Sequence, residues 1–170
     1  MKPNRHIAAL DGQGLERLAL RYVERYATTR SRLRRYLERK LKERGWAGTD
    51  APPLEAIVTR MAELRYVDDA AFAEMRAASL LRHGYGARRI ADALRAAGVD
   101  DCDRPASDDG EQARASALAF ARRKRIGPFA RSPENPDQQR RAFAAMMRAG
   151  HSFSLVREIL GSAAAEHDLE

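Results

Sequence analysis

Residues 64–99, LRYVDDAAFAEMRAASLLRHGYGARRIADALRAAGV, read as a helix, a tight turn and a second helix. Asp68 is placed as N-cap, and Asp69 follows at N1, where the helix dipole favours negative charge. Val67 before the cap and Phe72 at N4 have the spacing of a hydrophobic staple. The helix runs to about Arg82. Gly84-Tyr85-Gly86 then breaks it, and a second helix puts Ile90 and Leu94 on one face. Gly98, with Val99 beyond it, has the order of a C-terminal glycine stop.

Upstream, residues 1–13 have no period and are expected to form a tail. Leu15, Leu18, Ala19, Tyr22, Val23 and Tyr26 make one apolar helical stripe, so for the three tyrosines Tyr22, Tyr26 and Tyr36 core packing is expected over the alternative of base stacking. Thr28-Thr29 interrupts it. A second helix places Leu33, Tyr36, Leu37 and Leu41 inward and ends near Gly45, with Trp46 closing its end. Arg32, Arg35, Arg39 and Lys42 fall on the opposite face. After the linker GTDAPP, Leu54, Ile57, Val58, Met61 and Leu64 mark a third helix.

Downstream, residues 98–110 read as an acidic linker. A helix over 111–125 turns Ala113, Ala117, Phe120 and Ala121 inward. Asn135-Pro136-Asp137-Gln138 supplies a cap, a proline at N1 and a glutamine at N3, and Phe143, Met146 and Met147 follow. Ser152 caps a last helix with Leu155, Val156, Ile159 and Leu160 inward, stopping at Gly161 before a tail at 162–170. No segment alternates with period two, so the fold class expected is all-α.

Spacing also repeats. Gly84-Tyr85-Gly86, Ile90 and Leu94 align with Gly150-His151-Ser152, Val156 and Leu160 at an offset of 66, and with Ala27-Thr28-Thr29, Leu33 and Leu37 at an offset of 57. A linear array of small helical units accounts for this. So does a compact bundle with coincident turns.

Leu64, Tyr66-Val67-Asp68-Asp69, Phe72-Ala73, Gly84-Tyr85-Gly86, Arg89-Ile90, Leu94 and Gly98-Val99 together resemble the central repeat of the RecX family of recombination regulators. That resemblance implies an elongated tandem array of three small, mostly three-helix repeats, here at 14–46, 53–99 and 110–161. It implies a monomer without a cofactor that binds RecA recombinase filaments on single-stranded DNA. The expected outcome is inhibition of RecA ATPase, strand exchange and co-protease activity, hence negative control of recombination, repair and the SOS response. The first repeat departs from the family pattern. Leu33 and Tyr36-Leu37 stand where a serine and Glu-Leu are usual.

Charge is unevenly spread. The net is +7, but residues 1–49 hold 13 basic and 5 acidic groups while 50–110 hold 8 and 12. A polyanion would meet the first third most favourably. Candidate contacts to RecA or DNA, single-stranded or duplex, are Arg32, Arg35, Arg39 and Lys42, the central Arg76, Arg82, Arg88 and Arg89, and the run Arg122-Arg123-Lys124-Arg125. For that run, complementing the helix dipole is an equal alternative. Tyr85 either contacts a partner or plugs its turn. The motif residues Tyr66, Val67, Asp68, Asp69, Phe72, Gly84, Tyr85, Gly86, Ile90, Leu94 and Gly98 read as architecture.

No catalytic set emerges. His6, His83, His151 and His167 lie in separate segments, the first and last in tails and the others at turns where an exposed imidazole is unremarkable. Asp100, Asp101, Cys102 and Asp103 fit neither a calcium loop nor a zinc pair. The lone Cys102 excludes an internal disulfide, and a cytoplasmic protein is expected. No apolar run spans a membrane. A helix-turn-helix transcription regulator is the alternative, and a nuclease a weaker third.

Overall fold

The computed structural model describes residues 8–105, 110–132 and 135–167. Among them the chain forms α-helices and two short 3-10 turns, with no strand. The helices are α1 (Gly12–Arg25), α2 (Arg30–Arg44), α3 (Leu54–Glu63), α4 (Asp69–Arg82), α5 (Ala87–Ala97), α6 (Glu111–Lys124), α7 (Pro136–Arg148) and α8 (Phe153–His167). The chain divides into two compact units. One holds residues 1–72 and 97–103, the other 73–96 and 104–170.

In the first unit α1, α2 and α3 pack around Leu15, Ala19, Leu33, Leu37, Ile57, Val58 and Met61. The helix expected to open the central repeat, α3, therefore packs with α1 and α2. Leu10 joins this core although it falls in the expected tail, and is only 2% exposed. Its N–H donates to the Gly45 carbonyl and its carbonyl accepts from Ala47, at 2.9 Å each. These bonds form an isolated bridge to Trp46, whose indole N–H donates to the Asp50 carbonyl at 2.6 Å. An apolar side chain just ahead of the Asp11 cap of α1 has a core to enter, which a frayed tail would leave in water.

Asp68 caps α4 as its position predicts, accepting from the Ala71 N–H at 2.9 Å. Asp69 faces elsewhere. It is buried and accepts the N–H of Arg30, the first residue of α2, at 2.9 Å. Burial raises its carboxyl above the ordinary value, with the Arg30 N–H and guanidinium opposing. Thr29 is the N-cap of α2 and also donates to the Ala97 carbonyl at 2.6 Å.

In the second unit Ala117, Phe120, Ala121, Met146, Ala149, Val156 and Ile159 form the core. The box at Asn135 and Gln138 caps α7 reciprocally. Helix α8 runs through Gly161 to His167, past the expected stop, because the following Ser-Ala-Ala-Ala-Glu has high helix propensity. His151 is buried, contrary to the exposed imidazole expected. Its Nε2 lies 3.1 Å from the Gly84 carbonyl, and its ring meets Phe120 edge-on.

Candidate functional site

Basic side chains collect at three places, each set by local helix geometry. On α2 the buried Leu33 and Leu37 fix the inward face, and Arg32, Arg35, Arg39 and Lys42 project from the other. They are not equivalent. Arg32 is half-buried with its guanidinium 5.1 Å from the Phe72 ring centroid, so it packs as well as projects. Arg35 donates to the Ser31 carbonyl at 3.4 Å, and Arg39 pairs with Glu43 at 3.6 Å. Lys42 is exposed.

The second place is the Gly84-Tyr85-Gly86 turn in the second unit. Arg89 from α5 and Arg123 from α6 lie 6.0 and 5.8 Å from the Tyr85 ring centroid. Arg123 also donates to the His83 carbonyl. Arg88 donates to the Met147 carbonyl at 3.1 Å. Tyr85 is half-buried against the core, and its carbonyl accepts from Ser116 at 2.9 Å. It fills the turn, with the two guanidiniums beside its ring. The N–H groups of Gly86 and Arg88 are taken by the carbonyls of Ala149 and Gly150, so neither is open to a phosphate. Arg76 and Arg82 are exposed on α4.

The third place was only half visible in the sequence. A hollow of about 380 Å³ is lined by Lys124, Arg125, Arg131 and Arg141 with Ser132 and Gln138. The α7 cap sets Gln138, Arg141, Ala142 and Ala145 on one face toward it. None of the four cations forms an ion pair among the described residues. Neither Arg131, a single cation in a proline-rich loop, nor Arg141, one of the pair Arg140-Arg141 at a helix start, stands out in the sequence as part of a basic cluster. Arg122 turns away from this group onto Phe129, at 4.9 Å.

The motif residues also divide. Val67, Phe72, Ile90 and Leu94 are buried, whereas Leu64 and Tyr66 are 54% and 53% exposed. The expected aromatic core of the first unit is a partly exposed ladder. Tyr36 stacks on Tyr22 at 4.2 Å, and Tyr22 meets Tyr26 at 5.3 Å. Tyr22 and Tyr36 are half-buried, but Tyr26 is exposed, contrary to its expected core place. It stands at the C-cap of α1, where the stripe runs off the helix.

Among the described residues no three His, Cys, Asp or Glu groups gather as a metal site, and Cys102 is exposed. No described helix is long and apolar enough to cross a membrane. The arrangement suits binding of anions and flat rings.

The family description "RecX, second three-helix domain" matches residues 68–104, beginning at the Asp68 cap. "Regulatory protein RecX" of Myxococcus xanthus is 34% identical over 163 residues, covering 87% of this chain and 84% of that protein. Its namesake in Mycobacterium sp. strain JLS is 31% identical over 156 residues, covering 85% and 81%. The crystal structure of RecX from Lactobacillus salivarius superimposes with a TM-score of 0.70 over 90% of this chain and 96% of that one, at 16% identity. That likeness concerns the helical fold.

Proposed function

The chain belongs to the RecX family, and from that premise we propose a non-enzymatic regulator that binds RecA filaments on single-stranded DNA. In this reading it inhibits RecA ATPase, strand exchange and co-protease activity, and so restrains recombination, repair and the SOS response in the cytoplasm. The kinship over 163 residues to proteins named regulatory carries the reading. The chemistry supports it. Cations without acidic partners suit phosphates, while acid-rich stretches between them suit a composite surface of protein and nucleic acid better than naked DNA. Several modest contacts on one chain multiply through effective concentration.

The alternative, a helix-turn-helix reader of duplex sequence, needs the start of its second helix free to enter a major groove. Here Gly86, just before α5, and Arg88 within it donate to the carbonyls of Ala149 and Gly150, so this helix start packs on backbone, which speaks against it. The deciding measurement is RecA ATPase on single-stranded DNA with and without this protein. Inhibition at stoichiometric amounts is expected. Full activity there, together with strong site preference on duplex DNA, would favour the alternative.

A further inference from the structure

The tyrosine ladder of the first unit has two unlike ends. At one end Tyr36 is covered by Arg39 and Lys40, whose charged groups lie 5.6 and 5.9 Å from its ring centroid. Glu43 holds both cations there, Lys40 at 2.5 Å and Arg39 at 3.6 Å. At the other end, among the described residues, Tyr26 has only Tyr22 beside it in ring contact, tilted by 49°, and is 52% exposed. The column stops at an accessible aromatic ring.

We infer that this open end, Tyr26 backed by Tyr22 and Tyr36, is a stacking site for an unpaired base of single-stranded DNA. The inference rests on the reading that such a strand is among the partners. An unpaired base offers a flat apolar face of the same kind as the ring, and stacking of this sort tolerates any base. Duplex DNA keeps its faces inside its own stack, so it gains nothing here.

The charge beside the ladder fits the backbone of such a strand. Arg21 and Arg25 precede Tyr22 and Tyr26 by one residue, so a basic row runs along α1 beside the aromatic row with the same four-residue spacing. Both arginines are exposed and form no ion pair among the described residues. The acidic Glu43 sits at the opposite, covered end. Phosphates are thus drawn to the arginine row while a base reaches Tyr26.

The test uses the full chain and fluorescent oligothymidylate, read by anisotropy. Tyr26→Ala is expected to weaken binding roughly five- to thirty-fold, with an unchanged salt slope. Tyr26→Phe is expected to keep wild-type affinity, because the ring and not the hydroxyl is used. Affinity for a duplex of equal length should not move. Unchanged oligothymidylate binding in Tyr26→Ala, or an equal loss on duplex, overturns the assignment. Iodouracil-substituted strands give a second readout on the unmutated protein. Photo-crosslinks mapped to Tyr26 are expected, and crosslinks confined to other residues overturn the site. RecA ATPase, measured in parallel, separates the two ideas. Inhibition by a protein whose Tyr26 plays no part sinks the stacking site alone. Loss of strand binding in Tyr26→Ala, with no inhibition by wild type, sinks the regulator reading alone.

Discussion

Two adjacent aspartates do different work. Asp68 satisfies the start of its own helix, and this was legible because cap and helix are neighbours in the chain. Asp69 satisfies the start of α2, 39 residues away, and no local pattern could announce that. Its carboxylate is buried at a cost, so an acceptor matters there more than a charge. Asp69→Ala should therefore lower stability by about 1–2 kcal/mol, the usual loss for a missing helix cap. Asp69→Asn keeps the acceptor and should cost less than about 0.5 kcal/mol. Urea unfolding of the two variants checks the order, and equal losses would refute it.

His151 gives a pH prediction at the same scale. Burial holds its pKa below the ordinary 6.5, while the Gly84 carbonyl partly restores it. The unfolded chain therefore binds this proton more readily than the folded one. Stability is unaffected by the group well above pH 6.5 and falls as pH drops through 6.5 toward the lower folded value. His151→Gln should remove that part of the decline, seen as a flatter plot of thermal midpoint between about pH 7 and 5. An identical slope in the variant would reject the assignment. The sequence showed a histidine beside a glycine. It did not show Phe120 and Gly84 closing over the ring.

Among the elements, helices were legible because periodicity and caps are local. Their neighbours were less so. Where α5 begins, Gly86 passes so near the α7–α8 turn that an added Cβ would lie 2.3 Å from the Gly150 carbonyl oxygen. A backbone oxygen cannot swing aside like a side chain. Gly86→Ala should cost about 1–3 kcal/mol through overpacking. Gly161 is the contrast. It lies within α8 with nothing within 4 Å of a Cβ, so Gly161→Ala should gain about 0.5–1 kcal/mol. Thermal melts of both should move in opposite directions. In sequence both glycines look like breaks, since local pattern does not distinguish a close crossing from an open helix face. The tyrosine stripe erred for a related reason. Period alone marks which side of α1 is apolar, but not that Tyr26 lies past the helix end.

At the scale of the whole molecule, net charge was legible but its pairing was not. The α2 stripe is not uniform: Arg32 packs half-buried on Phe72, Arg39 lies over Tyr36 beside Glu43, and Arg35 and Lys42 are exposed. Reversing Arg35, Arg39 and Lys42 to glutamate should weaken binding to single strands and flatten the salt slope by roughly 2, at about 0.7 per phosphate contact. The same reversal at Arg131 and Arg141 measures how much the hollow contributes. A slope that stays put in both sets would leave these cations as solvated surface. Arg32→Glu should instead lower stability by removing its contact with Phe72.

The first unit closes only when residues 97–103 reach it, and the second begins at residue 73. The Thr29–Ala97 and His151–Gly84 bonds span 68 and 67 residues. During synthesis, then, α1, α2 and α3 leave the ribosome while the segment that completes their unit is still unmade. Residues 73–96 emerge next and must wait for α6, α7 and α8. Each unit stays unfinished while part of the other is translated, so the nascent chain carries exposed apolar faces for longer than two consecutive domains would.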